Sequence, residues 1–225
     1  MRDRKMARKK DLVNLIIGFI GSMLGLIVLN VFNRNILMLL PLPARMITMV
    51  ITYWLVALAS MILMTANKEK PSDYGFTAEK LGKQIIVGIL IAAAMSLALT
   101  VVPHLLGFGE YVSSEKNYTR LWQFIYEFIY CIFAVGFAEE FVFRGYIYKK
   151  ILNISGKETA AVIVSSVLFG LFHIFRGSIV QMITTAFIGA FFCLCRAKVK
   201  GCTIVSLMIA HGIYDALITV WTAVL

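Results

Sequence analysis

Apolar runs of about 20 residues recur along this chain, and no other feature constrains its folding as strongly. They cover residues 12–32, 46–65, 85–106, 121–143, 159–176, 178–195 and 202–224. A helix of that length crosses a hydrocarbon core of roughly 30 Å and satisfies its own backbone N–H and C=O groups there. The expected fold is therefore all-α: a polytopic transmembrane helix bundle of about seven spans, with six and eight as the neighbouring counts. Residues 33–45, with Pro41 and Pro43, read as a short apolar connection. No Pro-, Gly- or Ser-rich linker and no internal repeat divides the chain, so residues 1–225 form a single transmembrane domain. Composition agrees. The chain is 60% hydrophobic and 15% charged, whereas soluble domains run near one-half and one-quarter.

A net charge of +10 invites a nucleic-acid partner, but the placement of the charge argues against one. Arg2, Arg4, Lys5, Arg8, Lys9 and Lys10 crowd into residues 1–11, directly before the first apolar run. That pattern is a basic cytoplasmic N-terminus facing anionic lipid. The run that follows lacks a small-residue cleavage site and reads as a retained span. With the N-terminus inside, 17 of the 22 Lys and Arg residues fall on the cytoplasmic side, in segments 1–11, 66–84, 144–158 and 196–201. Arg34, Arg45, Lys116, Arg120 and Arg176 fall on the other. The asymmetry follows the positive-inside rule and suits a multi-pass protein of the cell membrane. Trp122 and Tyr146 then bracket the fourth span, roughly 36 Å apart along a helix.

Cys131, Cys193, Cys195 and Cys202 lie within or beside apolar runs, which argues against a disulfide framework. Cys193 and Cys195, near Cys202, have the spacing for a metal or lipid, yet buried thiols serve equally well as small apolar groups.

Few ionisable residues remain inside the apolar runs: Glu127, Glu139, Glu140, Arg144, His173, His211 and Asp215, with His104 at a span end. Each charge near a bilayer centre costs roughly 2.5–3.5 kcal/mol. Glu139, Glu140 and Asp215 must therefore be paired, protonated or facing a wet cavity. Glu127, beside Trp122 and Tyr126, reads as interfacial, and His104 as an interhelical hydrogen-bonding residue.

Helical geometry distributes roles. Glu140 and Arg144 are spaced i, i+4 and meet on one face. Glu139 lies about 100° round the helix from Glu140 and points into a different space. The sequence midpoint between Glu139 and His173 is Gly156, so a hairpin turn there brings the two to one depth. A carboxylate facing an imidazole suits general-base activation of water. Counting from the outer span ends instead places His173 close to the surface, beside Arg176; the hairpin count is the firmer one because membrane boundaries are soft. On the last span His211 and Asp215 again share a face. Asp215 there fixes the imidazole tautomer or holds it protonated, for use toward an oxyanion.

These three motifs are Glu139-Glu140-Phe-Val-Phe-Arg144, Phe169-Gly-Leu-Phe-His173 and His211-Gly-Ile-Tyr-Asp215. In order and spacing the chain resembles the CPBP (Abi) family of membrane-embedded CAAX-type proteases and bacteriocin-processing relatives, over about residues 120–220. The resemblance implies an intramembrane endopeptidase acting on a membrane-associated peptide or protein. In it Glu139 and His173 activate water, Arg144 orients the glutamate pair, and His211 with residue 215 stabilises the tetrahedral intermediate. Asparagine is common at that last position in the prenyl-protein-processing members, and Asp215 departs from it. Two cofactor readings stand: a water activated by glutamate and histidine, or a zinc ion held by Glu139, His173 and His211. Phe169 reads as a wall against His173. Two other functions compete. One is a non-catalytic binding or bacteriocin-immunity protein using the same polar cavity. The other is a proton-coupled transporter, disfavoured by the lack of repeats.

Overall fold

The computed structural model describes residues 2–114, 116–176 and 178–225, without the side chains of Arg2, Asp3 and Arg176. Arg2 and Arg176, used above for the anchor and the orientation, therefore lie outside the described side chains. Among the described residues there is no strand, and seven helices are long and apolar enough to cross a membrane. They are α1 (Arg4–Leu39), α2 (Leu42–Ala66), α3 (Leu81–Tyr111), α4 (Leu121–Ser155), α5 (Glu158–Phe175), α6 (Ile179–Lys198) and α7 (Ile204–Val224). Large apolar side chains such as Ile20, Leu24, Ile86, Leu90, Phe187 and Leu194 remain exposed. In a soluble protein such a surface would aggregate; here it is the lipid face.

The bundle is organised around α4, which packs against α1, α2, α5 and α7, while α7 also lies along α3. This helix is longer than the apolar run 121–143 and continues to Ser155. Arg144 and Lys150, in that extension, are both buried and paired within the protein.

Two local features of α4 aim its side chains. Wide i→i+5 turns occupy Cys131–Gly136 and Phe141–Ile147, with the single α-turn Phe137–Glu140 between them. Such turns are rare and recur at functional sites, since each offsets the residues beyond it. The other feature is close approach to α7. A Cβ built on Gly212 would lie 2.4 Å from Ile132 Cα, and one on Gly136 would lie 2.4 Å from the Met208 carbonyl oxygen. Two missing side chains thus let the α4 and α7 backbones touch just where Glu140 and His211 must meet.

The turn into α5 falls at Gly156, whose φ of 69° places it in the left-handed region that glycine adopts at helix C-termini. Helix α2 is bent at Tyr53–Trp54, where tight i→i+3 bonds run from Val56 N–H to the Tyr53 carbonyl and from Ala57 N–H to the Trp54 carbonyl. Trp54 stacks on Phe137 of α4 at 4.2 Å, fixing the bend at the level of the glutamate pair.

A partly buried ion cluster, centred on the buried Lys150, ties the helix ends together. Lys150 Nζ lies 2.6 Å from Glu69 Oε1 and 3.1 Å from Asp11 Oδ1. Asn153 donates to Asp11 Oδ2 at 3.1 Å, and the Tyr74 hydroxyl donates to Glu69 Oε2. Burial and the Glu69 carboxylate push the Tyr74 hydroxyl far above its ordinary pKa, so it remains a donor.

Candidate active site

The buried side chains of Glu139, Glu140, Arg144, His173 and His211 converge where α4, α5 and α7 meet α2. Glu140 and Arg144 sit on consecutive turns of α4, Arg144 Nη1 3.1 Å from Glu140 Oε1, with both residues almost wholly buried. The contact lacks hydrogen-bond alignment, so it acts mainly through charge. What seats the guanidinium is an aromatic face: its carbon lies 3.9 Å above the Phe169 ring, with Phe192 at 5.3 Å. A desolvated cation over an aromatic face gains about 2 kcal/mol. Farther on, Arg196 Nη1 of α6 donates to the Arg144 carbonyl at 2.6 Å. Arg196, which reads in the sequence as a loop residue, thus ends α6 and braces α4.

Glu140 also accepts from His211 Nδ1 at 2.8 Å. The sequence assigned that orienting role to Asp215. In the structure Asp215 Oδ2 lies 3.5 Å from the other ring nitrogen, Nε2. Glu140 therefore sets the ring orientation, and Asp215, whose side chain is 31% exposed, faces its outer edge.

Glu139 points away from this pair, as its position on the helix requires. The Tyr53 hydroxyl of α2 donates to its Oε1 at 2.5 Å. Its Oε2 is buried, has no hydrogen-bond partner among the described residues, and lies 3.8 Å from His211 Nε2 and 4.0 Å from His173 Nε2. His173 closes the helical part of α5 and its Nδ1 pairs with the Phe169 carbonyl at 2.9 Å, so Nδ1 carries the proton there and Nε2 is left as the basic atom. Its ring stands edge-on to Phe169 at 4.8 Å. Phe169 is thus the wall its spacing suggested, and also the platform for Arg144.

The structure brings Glu139, Glu140, Arg144, His173, His211 and Asp215 into one cluster, and the hairpin count through Gly156 rather than the count from the outer ends describes the depth of His173. Glu127, near the start of α4, is buried within the protein and takes hydrogen bonds from Lys116 and Tyr118. The reading of His104 needs correction. His104 makes no interhelical hydrogen bond among the described residues; its ring lies against Gly109 at the end of its own helix. The four cysteines are buried free thiols, and burial pushes Cys202 up to about 12. Sequence reasoning missed Tyr53 and Phe192. Tyr53 carried only a faint signal, one hydroxyl within an apolar span, and Phe192 carried none.

What can three converging atoms hold? A water molecule can bond two atoms about 4 Å apart at ordinary hydrogen-bond lengths of about 2.8 Å. Zinc asks for a tighter set. Ligand atoms about 2.0–2.2 Å from a tetrahedral ion stand about 3.5 Å from one another. The separations of 3.8 and 4.0 Å exceed that. Among the described residues no three His, Cys, Asp or Glu side chains are gathered closely enough to hold an ion. The donor types suit zinc, but this arrangement does not.

The model of the family described as type II CAAX prenyl endopeptidase Rce1-like matches residues 121–217. Over this segment the chain is similar to the CAAX-protease family. The matched residues run from the start of α4 nearly to the end of α7 and include all six cluster residues named above. The similarity supports a membrane-embedded protease, a hydrolase of the peptide bond, in a multi-pass helical protein. No curated protein and no solved structure matches the chain.

Proposed function

We propose that this protein is an intramembrane endopeptidase of the glutamate type, cleaving a membrane-associated peptide or protein from within the cell membrane. The observation that carries the reading is the convergence of Glu139 Oε2 with the Nε2 atoms of His173 and His211, at 4.0 and 3.8 Å, in a buried setting. Water held among these atoms gives a proton to Glu139 while its oxygen attacks the scissile carbonyl carbon. His173, basic at Nε2, orients that water. When protonated on both nitrogens, His211 keeps its Nδ1–H on Glu140 and turns its Nε2–H to the developing oxyanion. Asp215 opposite supports that charge. The C–N bond then breaks, and the proton on Glu139 passes to the leaving amine.

Arg144 has an electrostatic task. Glu139, Glu140 and Asp215 crowd around one imidazole, and the guanidinium offsets part of that negative charge without entering the water site. The N-terminus lies on the cytoplasmic side, its basic residues against anionic headgroups.

The test compares membrane peptides, by mass spectrometry, from cells carrying the wild-type protein or Glu139→Ala at equal membrane abundance. The expected result is a set of cleavage products present in the first and missing from the second. Identical peptide profiles would contradict the reading.

A further inference from the structure

Tyr53 belongs to α2, outside the family-matched segment, yet its hydroxyl makes the 2.5 Å hydrogen bond to Glu139. Both partners are buried, Tyr53 at 7% exposure and Glu139 at 1%. The tyrosine is held from two sides. Its ring stands edge-on to Tyr130 of α4 at 5.8 Å, and the next residue, Trp54, stacks on Phe137. The bend in α2 at Tyr53–Trp54 turns this side chain toward α4 at the level of the glutamate pair.

We infer that Tyr53 is a positioning residue for the reaction, its hydroxyl occupying Glu139 Oε1 so that Oε2 is the oxygen presented to water. The inference rests on Glu139 acting as the base. A buried carboxylate with no donor on either oxygen would be free to rotate, and either oxygen could then face the histidines. With Oε1 bound, the rotation is fixed and the unpartnered Oε2 remains beside His173 and His211. Groups facing Glu139 thus come from three other helices: Tyr53 from α2, His173 from α5 and His211 from α7. On α4 itself, Glu140 and Arg144 are its charged neighbours.

The experiment uses the full chain in proteoliposomes and the infrared carboxyl band of Glu139, isolated as the difference between wild type and Glu139→Gln. In Tyr53→Phe this band, the carboxylate stretch of the ionised base, should shift as its donor is lost. In Tyr130→Phe, which alters the neighbouring ring but not the donor, it should stay in place. Cleavage of an internally quenched farnesylated CAAX peptide should fall about 10- to 100-fold in kcat for Tyr53→Phe with KM unchanged, the loss of one hydrogen bond to a charged group. A Tyr53→Phe band superimposable on wild type, or an equal shift in Tyr130→Phe, overturns the inference and leaves Glu139 as base untouched. Full activity of Glu139→Gln overturns the base reading and leaves the hydrogen bond in place. If Tyr53→Phe does not fold, the contact is read from the other side: the C–O stretch of ring-deuterated tyrosine should shift in Glu139→Gln, and no shift overturns the inference.

Discussion

Two ion clusters sit on α4, each built round a buried charged side chain, and they are finished differently. Around Lys150 all four carboxylate oxygens of Asp11 and Glu69 have a partner: Lys150 takes one from each, Asn153 and Tyr74 the others. About three turns earlier in the helix, Tyr53 binds one oxygen of Glu139, and His211 with Arg144 binds one oxygen of Glu140. The second oxygen of each glutamate is buried without a hydrogen-bond partner among the described residues. A closed network holds helices together, whereas an open one is costly to bury and is kept where another molecule completes it. The same residue types thus serve architecture at one end of α4 and, on the proposed function, chemistry in the middle.

Mutations at the two clusters should separate those tasks. At the open one, His173→Ala should lower cleavage by about 10²- to 10⁴-fold, the range of a lost acid–base partner, with little change in thermal unfolding. Steady-state cleavage and a melting curve on one preparation check both halves. At the closed one, Lys150→Met should cost about 3–5 kcal/mol by leaving Asp11 and Glu69 facing each other without their cation. Folded molecules should keep their kcat, and denaturant unfolding in detergent reads the loss. Tyr74→Phe removes only one donor to Glu69, for about 1–3 kcal/mol in the same assay.

The smallest effect concerns pH. Burial first, then Cys195, raises the Cys202 thiol to about 12 from an ordinary 9.0. A raised folded-state value favours the fold fully below pH 9.0, and that contribution is lost as pH climbs toward about 12. Native Cys202 should accordingly resist alkylation at pH 9 and react once the protein is denatured, as peptide mapping would reveal.

Much of this was legible in the chain. Spans can be read from hydropathy because lipid tolerates no unpaired backbone, and Glu140 with Arg144 can be read from helical spacing alone. The Gly156 hairpin placed His173 opposite Glu139 because two antiparallel helices count residues at the same rate. Other features were hidden for physical reasons. Lys150 and Arg196 look like loop charges in one dimension, and only packing reveals that Asp11, Glu69 and backbone carbonyls receive them. The π-type turns of α4 leave no hydropathy trace. Tyr53 reaches Glu139 across 86 positions through a helix bend with no proline to announce it. His211 had a legible partner four residues away in Asp215, and the close approach at Gly136 and Gly212 gave it Glu140 as a second one.

The central claim is that Glu139 is the base of an otherwise supported site. Glu139→Gln keeps the volume and the bond from Tyr53 while removing the charge, so folding and function part cleanly. In proteoliposomes with a peptide that the wild-type protein cleaves, the variant should unfold like wild type and cleave at least about 10²-fold more slowly. Cleavage at the wild-type rate by the folded variant would contradict the account.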